Sequence, residues 1–312
     1  MEDKMKLNEI LGIKYPFIQG GMANIATGEF AASVSNAGGL GLIAAGGMTV
    51  DSLRENIRKC KELTNNPFGV NLMLMHPAAD EMAQVVVEEG VKIVTTGAGN
   101  PGKYMDDFKK AGIKVLPVVA SVALAKRMEK LGADAIIAEG TESGGHVGEM
   151  TTMTLVPQVV DAVNIPVVAA GGIADGRQLA AAFALGACGV QVGTCLLASE
   201  ECPIHPEYKN AILRAKDNTT VVTGRITGTP VRIIKNSMAR EYIKQEKNGA
   251  DKMELEKFTL GSLRRAVFEG DVKTGSLMAG QVAGQIKEIK PIKDIFEDMY
   301  AGYERTVNKL GA

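Results

Sequence analysis

The chain has 312 residues, 46% of them hydrophobic, which supports a sizeable core and argues against disorder. Lys and Arg total 35 against 36 Asp and Glu, so no global field points to nucleic acid or an anionic membrane surface. Met1 to Glu9 are polar and charged, unlike a secretory signal, and no apolar run reaches the roughly 18 residues of a membrane helix.

The four cysteines, Cys60, Cys188, Cys195 and Cys202, form neither a CxxC pair nor a metal spacing, as expected of ordinary thiols in a reducing cytoplasm. With no Trp in the chain, an aromatic platform for stacking bases is not expected either.

From Tyr15 to about Cys195, short apolar runs alternate with amphipathic stretches. The strand candidates are Tyr15–Ile18, Leu40–Ala44, Phe68–Leu72, Ile93–Thr96, Lys114–Val118, Ala135–Ala138, Val167–Ala170 and Gly189–Val192. Between them lie helix candidates at Gly28–Asn36, Val50–Leu63, Ala78–Glu89, Lys103–Ala111, Ser121–Leu131, Thr154–Ala162 and Gly176–Leu185. Val- and Ile-rich strands without polar alternation are buried on both faces, as parallel sheets require. Strict strand-then-helix alternation predicts an α/β fold, a (β/α)8 TIM barrel. A doubly wound open sheet is the alternative.

After Cys195 the rhythm changes. Charged, helix-prone segments (Glu207–Lys216, Ser237–Asn248, Asp251–Gly270) surround one extended segment, Thr219–Ile234. The expected organisation is a barrel over residues 1–200, a mostly helical cap over 201–291, and a C-terminal helix from 292 to 312 that returns to the barrel wall.

Four sets of glycine-bearing loops fall at the carboxyl ends of strand candidates, where barrel enzymes keep their chemistry. They are Gln19-Gly20-Gly21-Met22-Ala23, Gly69-Val70-Asn71, Glu139 to Gly148, and the pair Ala170-Gly171-Gly172 and Gln191-Val192-Gly193-Thr194. That pair follows the seventh and eighth strands, where barrels bind phosphate on backbone N–H groups. Gly97-Ala98-Gly99-Asn100-Pro101-Gly102 matches the dinucleotide fingerprint GxGxxG. No acidic residue ends the next strand to hold a ribose, so it reads as a turn.

His146 lies in a glycine-rich loop with carboxylates nearby, the setting of a catalytic or ligand-contacting imidazole. His76 and His205 adjoin prolines and read as structural, Cys195 as a small buried residue, and no ligand spacing suggests a metal.

These motifs, in this order and spacing, resemble the flavin-dependent enoyl-acyl carrier protein reductases (FabK type) of the nitronate monooxygenase superfamily. The resemblance runs from Gly12-Ile13-Lys14-Tyr15-Pro16 to Gly280-Gln281-Val282-Ala283-Gly284. It implies FMN in the barrel, its phosphate held by Gly171, Gly172, Gly193 and Thr194, beside Gln191. Gly21, Met22, Ala23 and Asn71 would lie near the flavin, Glu139, Gly144 and Gly145 would border it, and catalytic His146 would face the substrate.

The implied reaction is ping-pong. NADH or NADPH reduces the flavin, and a trans-2-enoyl thioester on acyl carrier protein then accepts hydride, completing fatty-acid elongation. The resemblance also implies a cytoplasmic homodimer and, for some members, a response to monovalent cations.

The rival within the superfamily is nitronate monooxygenase, which typically has glutamine where this chain has Glu139. A carboxylate there is expected to keep His146 more protonated, favouring enolate stabilisation over proton abstraction. Arg214, Lys216, Arg225, Arg232, Lys235 and Arg240 form a basic stretch that would steer an acidic carrier protein. A flavin-free phosphate-binding barrel of the IMP dehydrogenase type, or a non-catalytic barrel, are the readings from other classes. The former lacks the nucleophilic Cys it would need between Cys60 and Cys188.

Overall fold

The computed structural model describes residues 6–311. The start of the polar segment at Met1 and the outer limits of the expected divisions, residues 1 and 312, lie outside the described residues.

Eight strands carry the barrel. They are β1 (Phe17–Gln19), β2 (Gly41–Ala44), β3 (Phe68–Met73), β4 (Ile93–Gly97), β5 (Lys114–Val119), β6 (Ile136–Glu139), β8 (Val167–Ala170) and β9 (Gly189–Val192). A short strand, β7 (Gly145–His146), sits in the loop after β6. The sheet runs β1-β9-β8-β6-β5-β4-β3-β2, with parallel pairing throughout.

What separates this barrel from an open doubly wound sheet is the junction of β1 with β2. Leu40 N donates to Phe17 O at 2.8 Å and Gln19 N to Leu40 O at 2.9 Å. The Gln19 side chain adds a third tie, its Oε1 accepting from Leu42 N at 3.2 Å. Gln19 is fully buried and its Nε2 has no partner.

The helices between the strands are α2 (Gly28–Asn36), α3 (Val50–Leu63), α4 (Ala79–Glu88), α5 (Gly102–Lys110), α6 (Val122–Lys130), α7 (Thr152–Ala162) and α8 (Gly176–Ala184). Their starts are chemically marked, by Thr27, Thr49 and Ser121 caps and by a capping box of Asp175 with Gln178. Inward-facing Ile18, Leu42, Ile93, Leu116, Ile137 and Val168 fill the barrel's lower interior, plugged from below by Leu7 and Leu11 of helix α1 (Leu7–Leu11). This apolar plug leaves only the upper end open to chemistry.

After the short helix α9 (Thr194–Leu197) come α10 (Pro206–Leu213), α11 (Ser237–Lys247), α12 (Lys252–Thr259) and α13 (Ser262–Arg264). The segment Thr219–Ile234 folds as a hairpin of β10 (Thr220–Thr223) and β11 (Val231–Ile234), and β11 also pairs antiparallel with β7. The stretch Asp251–Gly270 is not one helix: Gly261 takes a left-handed φ of +72°, and Arg265–Glu269 winds as a π turn.

Helix α14 (Ile292–Gly311) lies against α8 and the β1–β2 junction. Phe296 stacks on Phe17 at 5.0 Å, and Phe183 meets Tyr303 at 5.1 Å. The α8–α14 crossing is close enough that a Cβ on Gly176 would sit 2.1 Å from Tyr303 N. Gly176→Ala should therefore lower unfolding free energy by about 1–3 kcal/mol, the usual cost of overpacking. Gly97→Ala, where a Cβ would meet nothing within 4 Å, should change it little. Urea denaturation of the two variants checks this.

Candidate active site

Alternation along the barrel strands determines what the mouth contains. Above the inward positions of Gly69, Ile93, Ile137 and Gly189 come Asn71, Thr95, Glu139 and Gln191, a polar layer resting on the apolar plug. Asn71 Nδ2 donates to Thr95 Oγ1 at 2.8 Å, which fixes the amide. Glu139 is level with Ala170, and Ala170 with Gln191, so only a methyl group stands between carboxyl and amide in that row.

The loops above this layer approach one another at glycines. A Cβ on Gly21 would lie 2.3 Å from Asn71 Cγ, so the first loop closes on the second only as glycine. Gly171 and Gly172 both have left-handed φ, +92° and +74°, and a Cβ on Gly171 would come within 2.7 Å of Gly140 O. Gly144 presses against Ala279 and Gly280, where a Cβ would approach the Ala279 backbone to 2.7 Å. Met22 reaches toward Gly193, its Sδ 3.7 Å from where a Cβ would stand. Thr194 Oγ1 accepts from Gly280 N at 2.9 Å and keeps its own proton for another acceptor.

All twelve residues expected to border a cofactor thus lie on the loops and strand ends around one mouth, with Ala23 following Met22, and His146 stands above them on β7. Three buried polar atoms in this ring lack partners, Gln191 Oε1, Thr141 Oγ1 and Ser143 Oγ. Unsatisfied atoms clustered at a cleft call for a polar ligand or water to complete them.

The carboxylates of the sixth loop are dispersed. Glu142 accepts Thr152 N on both oxygens, at 3.0 and 2.9 Å, and so caps α7 in place of Thr151, whose side chain makes no cap. Glu149 pairs with Arg225 on the hairpin. Glu139 has no cation beside it, and burial pushes its carboxyl up to about 7. Ser143 opposes that rise from nearby without completing a hydrogen bond.

The expectation that Glu139 keeps His146 protonated is therefore wrong. The imidazole is lowered from its ordinary value by burial, although part of the residue stays open to solvent, and no carboxylate contributes. Its side chain has no hydrogen-bond partner among the described residues.

Other expectations resolve simply. His76 and His205 accept backbone N–H groups through Nδ1, each at 3.1 Å. Cys195 is buried and its thiol is pushed up to about 12, which makes it inert. In the GxGxxG match Gly99 serves packing, since a Cβ there would meet Leu74 Cβ at 2.7 Å, whereas Gly97 faces open space. Arg232, expected on a basic rim, is 6% exposed and lies behind the sixth loop.

Sequence reasoning also missed Thr152. Its hydroxyl donates to Gly171 O at 2.8 Å and so ties α7 to the proposed phosphate loop. A threonine opening a helix reads as a cap, and nothing in the sequence distinguishes this use.

The Glu139 carboxyl gives a pH test in flavin-free protein. Its native value lies above the 4.5 of an ordinary glutamate, so ionisation favours the unfolded chain. Its contribution to stability is present below 4.5 and lost as pH rises through about 7. The melting temperature of Glu139→Gln, measured against native protein, should rise across that window and level off above it.

Comparison with known proteins covers the whole molecule. The chain is 51% identical to FabK from Thermotoga maritima, whose structure superposes with a TM-score of 0.95 over 98% of this chain and 97% of that one. It is 32% identical to a protein of Rhodococcus jostii (strain RHA1) named (3aS,4S,5R,7aS)-5-hydroxy-7a-methyl-1-oxo-octahydro-1H-indene-4-carboxyl-CoA dehydrogenase, over 98% of this chain and 97% of that protein. A probable nitronate monooxygenase of Staphylococcus saprophyticus is 35% identical over 90% of this chain and 92% of its own length. The family model for nitronate monooxygenase matches residues 4–302, and the chain belongs to that family.

Proposed function

We propose that the protein is an FMN-dependent enoyl-acyl carrier protein reductase using NADH or NADPH. The observation that carries this is the mouth itself: a glycine cradle for a phosphate, a polar layer for a flat ring, and one open imidazole above both. It occurs in a chain 51% identical to FabK from Thermotoga maritima. Acyl carrier protein as carrier of the substrate, a homodimer and a cytoplasmic location belong to the same proposal. So does a division into an FMN-binding barrel (1–200), a substrate-binding cap (201–291) and the returning helix (292–312).

The residues fit FMN. Gly171, Gly172 and Gly193 expose backbone that a Cβ would obstruct, and Thr194 keeps a hydroxyl proton to donate to phosphate. Gln191 offers an unpartnered acceptor, and Gly21, Met22, Ala23, Asn71, Glu139, Gly144 and Gly145 border the space above the polar layer. When bound, FMN supplies the hydride transfer between nicotinamide and enoyl carbon.

The chain's own residues supply orientation and charge. Reduction of an enoyl thioester leaves negative charge on the thioester oxygen. His146, its imidazole lowered from the ordinary value by partial desolvation, donates one N–H to that oxygen and stabilises the charge as it forms. Glu139, whose carboxyl burial pushes up to about 7, places less negative charge at the site near neutral pH than an ordinary glutamate would. The apolar plug below keeps bulk water from the underside of the site.

A second reading has one observation in its favour. An imidazole lowered from its ordinary value is a competent base, able to abstract the proton that turns a nitroalkane into a nitronate, so the electrostatic argument against this reading is removed.

An anaerobic titration separates the two. Flavin bleached by NADH or NADPH should regain its oxidised spectrum on adding a trans-2-enoyl thioester. A spectrum that recovers only with air or a nitronate would establish the monooxygenase instead. His146→Ala should slow reoxidation by the enoyl thioester by about 100-fold and leave FMN bound.

With Arg232 buried, Arg225 paired with Glu149 and Arg214 with Glu207, the exposed basic residues left are Arg240 and the two lysines Lys216 and Lys235, which are joined through backbone hydrogen bonds to Thr219. Reversing both charges should raise KM for a carrier-bound substrate and not for a short CoA thioester. Equal effects on the two substrates would remove this docking surface.

A further inference from the structure

Arg232 takes part in none of the chemistry above, yet it is a charge buried against the sixth loop. It is 6% exposed, and no carboxylate lies within ion-pair distance among the described residues. Burial lowers its affinity for the proton, and Arg225 adds to this, while Glu142 opposes it from a distance. An arginine kept buried without an ion pair is costly unless its hydrogen bonds are needed where they are.

Those bonds are specific. Nε donates to Thr141 O at 3.0 Å and Nη1 to Thr220 Oγ1 at 3.2 Å. The backbone of Arg232 lies opposite Gly145 in the β11–β7 pairing, and Val231 lies opposite His146. One cap residue therefore grips the sixth loop at both ends, by its guanidinium at Thr141 and by its main chain at Gly145. Two further ties run the same way, Val147 N to Pro230 O at 3.1 Å and Arg225 to Glu149. Arg232 and Val147 are both buried, whereas the Arg225–Glu149 pair is exposed. Thr141 N, for its part, donates to Met150 O at 2.8 Å, so the loop closes on itself just where the guanidinium holds it.

We propose that Arg232 is a positioning residue for His146: from the cap, it sets the height and direction of the imidazole over the barrel mouth. A strand of two residues cannot hold a side chain in register alone. The guanidinium supplies the missing anchor, since its planar fork reaches two acceptors at once. Lysine, a single point donor, cannot reproduce that geometry. The proposal rests on the assignment of His146 to the enoyl half-reaction.

The test is a double-mutant cycle on reoxidation of the reduced enzyme by a trans-2-enoyl thioester, with FMN affinity, reduction by NADH or NADPH, and melting temperature measured alongside. Arg232→Met should slow reoxidation by about tenfold or more, with FMN affinity and the reductive half-reaction nearly unchanged. Arg232→Lys should restore little of the loss. In a His146→Ala background, Arg232→Met should have no further effect, because the residue acts through the imidazole.

If Arg232→Met fails to hold flavin, Thr220→Val, which removes only one acceptor, should show a smaller loss that likewise vanishes without His146. A loss of equal size in both backgrounds would overturn the proposal and leave Arg232 as a structural brace. No loss in the native background would overturn it as well. If His146→Ala alone leaves reoxidation unchanged, the assignment of His146 falls, and this proposal with it.

Discussion

The mouth of this barrel depends on close approaches made at glycines. Gly21 against Asn71, Gly171 against Gly140 and Gly144 against Ala279 are contacts that any side chain would force apart by an ångström or more. Their effect is collective. Each brings the end of one strand within reach of its neighbour's loop, so the polar layer of Asn71, Thr95, Glu139 and Gln191 becomes the floor of one cleft. The rest follows from that closeness: buried polar atoms without partners among the described residues and a hydroxyl left with a spare proton.

Charge is handled by separation. The sixth loop carries three carboxylates close in sequence, and clustering them would repel any anionic ligand at the mouth. The fold sends Glu142 to a helix start and Glu149 to an arginine, and buries Glu139 until it holds a proton near neutrality. The neutral His146 is the counterpart of this arrangement. The site is electrostatically quiet until charge develops within it, the condition under which a preoriented donor is most effective.

The barrel was largely legible in the sequence because each unit is short and punctuated. Val167–Ala170 and Gly189–Val192 read directly as strands, and Leu131-Gly132 and Leu185-Gly186 mark helix ends through glycines with left-handed φ. The ring of glycine-bearing strand ends was legible too, since their place after barrel strands follows from the alternation. What could not be read depended on partners distant in sequence. The Gly145–His146 strand exists only because β11 lies beside it, and Arg232 resembled its exposed basic neighbours until the fold placed it behind Thr141. Protonation was illegible for the same reason, because proximity in sequence made Glu139 look like a partner for His146, whereas enclosure governs both. The break at Gly261 is local, yet it is hidden in a run whose composition favours helix throughout.

The junction of β1 with β2 has a consequence for how the molecule is made. It is the thinnest part of the sheet, with a single bridge between Ile18 and Leu40 and the Gln19 side chain standing in for further ladder bonds. Its outer face is covered by Phe296 and Tyr300 of α14, which stack on Tyr15 and Phe17. On its other side β1 pairs with β9, so the circle closes only when segments widely separated in sequence meet. Until then the sheet is open and curved with two unpaired edges, the form most exposed to wrong partners. Such long-range pairing folds slowly. For this protein, the vulnerable interval is the one before β9 reaches β1 and α14 covers the junction.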